Sequence, residues 1–164
     1  MKHIIAVVAI LATTSLFSRL SAQQIVLAPV LNDYYNIKEA LVAGDAKAAA
    51  EKATGFLKDM NGVDMHAIPM KDHMAFMALK DKLAADAQKI SASTDISKQR
   101  ESFAGLSANM ASLAKQARLS DQPVYLEYCP MKKSSWLSSD SAIKNPYYGN
   151  SMLTCGKVTG TLKP

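Results

Sequence analysis

From about residue 26 to residue 119, apolar side chains recur every three or four positions, which is the period of a helix with one buried face. Three interruptions divide this region, at Gly44-Asp45, at Asn61-Gly62 and at residues 91–94. Glycine commonly ends a helix and aspartate commonly caps one, and Thr94 or Asp95 is placed to cap the last stretch. The pattern predicts four amphipathic helices with short connections, which is typical of an up-and-down four-helix bundle.

The pattern changes after Pro123. Residues 124–128 alternate like a strand, a turn-rich stretch follows, and a second short strand near residues 157–161 is placed to pair with the first. This tail of about 40 residues is too small to hold a core alone. We therefore predict a mainly α domain, residues 23–164, in which an irregular C-terminal cap with a short β-hairpin lies on the helices. Its expected anchors are Trp136, Leu137 and Ile143.

The first 22 residues have the pattern of a secretory signal peptide. Lys2 and His3 precede an apolar run from residue 4 to residue 12, and small residues follow at Ser21-Ala22. The run is too short to span a bilayer, and no other stretch approaches about 18 apolar residues. The sequence thus predicts a protein exported to the periplasm, without a membrane span in the mature chain.

Charge and composition disfavour two classes of function. Removal of Lys2 and Arg19 with the leader lowers the formal net charge from +5 by two, and the remaining cations are interspersed with acidic residues. Nucleic acid is therefore a poor partner. An enzyme is not expected either, since no glycine-framed nucleophile turn or orienting carboxylate accompanies a Cys and His pair. Glu127 and Asp72 are interpreted as surface charges.

Methionine is concentrated between residues 60 and 77, where five of the nine methionines and two of the three histidines lie. On the third predicted helix, Met70, His73 and Met77 fall within roughly 60° of one another. This stripe lies on the shoulder of the apolar face. Methionine at helical spacing often only fills a core, so packing remains an alternative to ligand binding.

The tail adds sulfur at two places. Met131 follows Cys129 by two positions, and Met152 precedes Cys155 by three. Thiolates, thioethers and an imidazole suit Cu(I), whereas structural zinc would favour a second cysteine two to four residues away. We predict that the cap docks its sulfur residues against the His73 side of the third helix, with His66 a weaker candidate. The predicted metal ligands are His73, Met77, Cys129, Met131, Met152 and Cys155.

A disulfide is the competing interpretation of the two cysteines. In an oxidising compartment a pair of cysteines commonly forms one, and a bond from Cys129 to Cys155 would close a 27-residue loop worth about 3.5 kcal/mol in the chain-entropy model. Bonded sulfurs cannot act as thiolate ligands. The alternative function is therefore a disulfide-stapled helical interaction module of the cell envelope that holds no metal.

Several ordered motifs resemble a known family. They are residues 125–131 (Tyr-Leu-Glu-Tyr-Cys-Pro-Met), 143–149 (Ile-Lys-Asn-Pro-Tyr-Tyr-Gly), 152–156 (Met-Leu-Thr-Cys-Gly), 35–45, 95–100 with Phe103, and His73-Met74. Together they resemble the domain of unknown function 3347, common in Bacteroidetes.

The resemblance implies a secreted or periplasmic role in handling copper or a related heavy metal. Members of the family also occur as extensions of adaptor subunits in heavy-metal efflux pumps, and the Cys-Pro-Met at residues 129–131 is similar to that of a small heavy-metal-binding domain in such adaptors. The implied partners are a metal ion and a periplasmic adaptor subunit. The residues that match the family positions are His73, Met74, Cys129, Met131, Met152 and Cys155, whereas Met77 is chosen on helical spacing.

Overall fold

The computed structural model describes residues 25–163, so the predicted signal peptide lies outside the described residues. Four helices form where the apolar period places them. Their bounds are α1 Ala28–Ala43, α2 Ala46–Asn61, α3 Met70–Ser91 and α4 Ile96–Gln116. The prediction of a mainly α chain with four helices is confirmed. None of these helices combines the length and the apolar character needed to cross a membrane.

The helix ends follow from particular side chains. Gly44 ends α1 with φ of 77°, a left-handed conformation that favours glycine. Asp45 then caps α2 by accepting the N–H of Ala48 at 2.9 Å. At α4 the capping residue is Asp95, whose carboxylate accepts the N–H of Ser97 at 2.8 Å. These caps satisfy backbone donors that the first turn of a helix leaves unpaired.

Each helix packs mainly on the next one in the chain, α1 on α2, α2 on α3 and α3 on α4, while α1 and α4 contact each other little. The inward faces supply one continuous core. Among its fully buried members are Leu41, Phe56, Leu83, Phe103 and Met110. Burial of such side chains is the main favourable term in folding.

The C-terminal segment forms a three-stranded antiparallel sheet. Its strands are β1 Val124–Cys129, β2 Ser134–Ser138 and β3 Lys157–Leu162, in the order β2-β1-β3. The expected pairing of the first strand with one near residues 157–161 is confirmed. The hairpin between β1 and β2 was not predicted, because Trp136 and Leu137 are both fully buried and β2 therefore lacks the polar–apolar alternation of a half-exposed strand.

The sheet lies on a different side of the helices from the one expected. β2 packs on α4, and a 3₁₀ helix at Gly149–Ser151 packs on α1. The hydroxyl of Tyr34 in α1 is 2.8 Å from Ser107 Oγ in α4 and accepts the N–H of Leu137 in β2 at 3.0 Å. The cap thus packs on α1 and α4 and not on the His73 side of α3.

Candidate functional site

The sheet register brings the two cysteines together. Cys129 is the last residue of β1, and Cys155 lies two residues before β3, while Tyr128 is paired with Lys157 across the two strands. The two Sγ atoms are 3.9 Å apart, and both cysteines are free thiols. The convergence of Cys129 and Cys155 required by the predicted site is therefore present.

Gly156 makes this approach possible. A Cβ at this position would lie 2.9 Å from the outermost carbon of the Trp136 indole and 3.2 Å from Ile143 Cγ2. Any larger residue would push the chain away from the buried ring, and Cys155 would move with it. The glycine after Cys155 is thus part of how the site is built.

The two thiols differ in acidity. Burial acts to raise the pKa of Cys129, but the backbone N–H of Lys132, the side-chain amide of Asn145 and the thiol of Cys155 all donate toward its sulfur and bring the pKa below the ordinary value. The Lys132 donor lies 3.4 Å from Sγ. The pKa of Cys155 is raised by burial and by the neighbouring Cys129. Cys129 is therefore the sulfur that ionises first, with the Cys155 thiol as a hydrogen-bond donor.

Asn145 connects the two cysteine segments. This fully buried residue donates from Nδ2 to the carbonyl oxygen of Cys155 at 2.6 Å, and its backbone N–H donates to the Leu153 carbonyl at 2.8 Å. Its Oδ1 accepts the N–H of Tyr147 at 2.9 Å. The sequence places Asn145 in a turn-rich stretch and in a motif of the family, but it predicts no role for this residue at the cysteines. The available signal was its place in a motif shared with the cysteines.

Two methionines lie close to the cysteines in the chain. Met131 follows Cys129 in the β1–β2 turn and has 62% of its surface exposed, and Met152, three residues before Cys155, has 37% exposed. Met131 is thus close in the chain to the fully buried Cys129, and Met152 to the half-buried Cys155. The site therefore adjoins the protein interior at Cys129 and has a solvent-exposed rim formed by Met131 and Met152.

His73 lies apart from the cysteine pair. Val124, at the opposite end of β1 from Cys129, lines the same cleft as Lys71 in the first turn of α3. Cys129 is five positions along the strand from Val124, a distance of about 16 Å. Among residues 25–163, no three His, Cys, Asp or Glu side chains converge so that they could hold a metal ion. His73 therefore does not join the cysteine pair as expected, while the role of Met77 as a ligand stays a prediction. His66 is exposed on the loop before α3.

Glu127 is a buried acid two residues before Cys129. The interpretation of this residue as a surface charge is wrong, since its side chain is fully buried and neither carboxylate oxygen has a hydrogen-bond partner among the described residues. Burial raises its pKa to about 7, although the positive charge of Lys38 acts to lower it. Asp72 is likewise almost entirely buried.

A sequence model described as "Protein of unknown function (DUF3347)" matches residues 30–122. The chain belongs to this family. The DUF3347 match begins two residues inside α1, covers the rest of the four helices and ends just before β1. It therefore includes His73 and Met77 but none of the four sulfur residues of the cap. Comparisons with curated proteins and with solved structures gave no match.

Chemically, the two thiols of this DUF3347 protein can serve one of two purposes. Both sulfurs can bind one soft cation, or they can lose two hydrogens to an oxidant and bond to each other. Their distance of 3.9 Å is about 1.9 Å longer than an S–S bond, so either outcome needs only a small movement.

Proposed function

We propose that this protein binds a copper ion, Cu(I), through Cys129 and Cys155 in the periplasm and supplies it to a heavy-metal efflux system. The role is binding and delivery, without a catalysed reaction. The 3.9 Å separation of the two sulfurs is the single observation that carries this proposal.

The distance suits a shared metal ion. With a metal–sulfur bond of about 2.3 Å, as zinc makes with thiolate, an ion equidistant from both sulfurs would subtend an S–metal–S angle of about 115°. That angle lies between those of tetrahedral and trigonal coordination. Neither cysteine has to move to reach it.

The donor set favours a soft ion. Thiolates and thioethers prefer Cu(I) over oxygen-seeking cations such as Mg²⁺ and Ca²⁺. The donors around Cys129 stabilise its thiolate, and Met131 or Met152 is near enough along the chain to complete the coordination from the exposed rim. Solvent access on this side gives a partner protein a route to the ion.

The proposal also includes the topology of the helices and the location of the protein in the cell. The order in which the helices pack favours an up-and-down four-helix bundle. The leader predicted at residues 1–22 would deliver the chain to the periplasm, where adaptor subunits of efflux pumps act.

An anaerobic Cu(I) titration of residues 23–164 tests the proposal. The thiolate-to-copper charge-transfer band in the ultraviolet should saturate at one equivalent and disappear in the variant Cys129→Ser/Cys155→Ser. His73→Ala and His66→Ala serve as controls, because neither imidazole joins the cysteine pair, and both should retain the band. A wild-type protein without the band under anaerobic, reduced conditions would contradict the proposal.

A disulfide-stapled interaction module is the second candidate, and the same 3.9 Å distance favours it. Intact mass after isolation in mild reductant separates the two. Two free thiols with one bound copper support metal binding. A loss of two hydrogens that persists in reductant, with no copper bound, supports the staple.

A further inference from the structure

Three of the large apolar side chains on the surface of this protein lie on one helix. Met70, Met74 and Met77 of α3 have 74%, 66% and 49% of their surface exposed. The buried face of the same helix is formed by other residues, including Phe76 and Leu83. These methionines therefore do not serve as core filler.

The chain itself provides the contrast. Met60 in α2 and Met110 in α4 are fully buried in the core, which is the ordinary use of this side chain. Exposed methionine contributes nothing comparable to stability, since its surface remains in water. A concentration of exposed methionine on one helix face calls for a different explanation.

The spacing of these residues is that of neighbours on a helix surface. With His73, they occupy positions i, i+3, i+4 and i+7, so that each is one turn from two of the others. Side chains three or four residues apart have Cβ atoms about 5–6 Å from each other. Methionine has three rotatable bonds, which allow its sulfur to turn toward a common point. His73 is half-buried at the edge of this group.

We propose that Met70, His73, Met74 and Met77 form a second soft-metal site on the exposed face of α3, separate from the cysteine pair, which binds Cu(I) or Ag(I). Three thioethers and one imidazole are donors for soft monovalent ions and are poor ligands for Mg²⁺ or Ca²⁺. None of the four carries a negative charge. The site is thus suited to exchange an ion at the surface, and it does not depend on the cysteine site.

The methionine methyl groups provide a direct test. Protein labelled with ¹³C at the methionine methyls is titrated with Ag(I), which needs no reductant. The resonances of Met70, Met74 and Met77 should shift together and saturate, while those of the buried Met60 and Met110 stay in place. If the three α3 signals do not move, or move without saturating, the inference fails.

The outcomes also separate this inference from the proposed function. If both sites bind, the cysteine pair takes the first equivalent and the α3 methyls respond to the second. A failed cysteine site would leave the α3 methyls responding to the first equivalent. A failed α3 site would leave them silent while the thiolate band still forms.

A conservative variant completes the test. Met74→Leu removes the thioether that has a methionine on each side of it, and preserves apolar bulk and helix propensity. Its Ag(I) affinity at the α3 site should fall at least about tenfold, the loss that removal of even an outer-shell partner of a metal site can cause. Met65→Leu, outside the group, is the matched control. Equal α3 affinities in Met74→Leu and Met65→Leu would overturn the assignment.

Discussion

The side-chain amide of Asn145 donates a 2.6 Å hydrogen bond to the backbone carbonyl of Cys155. The same amide also lowers the pKa of Cys129. One buried side chain therefore holds one cysteine in position and increases the acidity of the other. The site is formed as much by this amide as by the two sulfurs.

Asn145→Ala should raise the pKa of Cys129, because the thiolate loses a donor while its burial remains. It should also lower the free energy of unfolding by about 1–3 kcal/mol, the cost of a buried group left without its partner. Thiolate absorbance as a function of pH measures the first effect and urea unfolding the second. Asn109→Ala, whose amide donates to Asp86 between α4 and α3, is the control and should leave the thiol titration unchanged. Superimposable thiol titrations for Asn145→Ala and wild type would refute the role of this amide.

The sequence was informative wherever a structure depends on local spacing. The helices follow from the 3.6-residue period and from caps such as Asp45, and the pairing of β1 with β3 follows from two short alternating runs. The side on which the cap docks was not predictable in this way. It involves a contact among Tyr34, Ser107 and Leu137, residues far apart in the chain, and local spacing gives no indication of such a contact.

For the candidate site, too, the sequence predicted the features that depend on local spacing and not those that depend on burial. The sulfur pairings in the tail were visible as a pattern, and their meeting was predicted. The polar residues that define their surroundings were not, because a single Asn or Glu in a sequence gives no indication that it is buried. Asn145 and Glu127 are both fully enclosed, and each was interpreted as an ordinary turn or surface residue.

Oxidation of the two thiols should give an intramolecular disulfide. The distance between the two sulfurs must fall from 3.9 Å to about 2.05 Å. Closing the loop should then raise the free energy of unfolding by about 3.5 kcal/mol, reduced by whatever strain the bond introduces. Urea unfolding with and without oxidant measures the change. The variant Cys129→Ser/Cys155→Ser should not respond to oxidant. Disulfide-linked dimers with no monomeric product would show that the two sulfurs do not meet in solution.

Glu127 should give stability an unusual dependence on pH. Its pKa is raised from 4.5 to about 7 by burial, so the folded protein retains a proton that the unfolded chain has lost over this range. The contribution of Glu127 to stability is therefore greatest below pH 4.5, falls as pH rises to about 7 and is level above that. The slope is at most about 1.4 kcal/mol per pH unit for one proton.

Glu127→Gln should remove this contribution. Between pH 4.5 and 7 the stability of the variant should decline less than that of wild type, and above pH 7 the variant should be the more stable of the two. Urea unfolding at a series of pH values measures both effects. Glu101→Gln, at an exposed position of α4, is the control and should follow the wild-type profile. Parallel profiles for Glu127→Gln and wild type would mean that Glu127 is ionised at neutral pH in the folded protein.

Tyr34→Phe should loosen the cap from the helices. The change leaves the buried N–H of Leu137 and the buried hydroxyl of Ser107 without the oxygen that both contact, at a cost of about 1–3 kcal/mol in the free energy of unfolding. Tyr125→Phe, on a half-exposed residue of β1, is the control and should change stability by no more than about 0.5 kcal/mol. Because Ser107 loses its partner in Tyr34→Phe, a further Ser107→Ala should cost less in that variant than in wild type, and the double-mutant cycle measures the coupling. Additive effects of the two changes would show that the hydroxyls of Tyr34 and Ser107 do not interact.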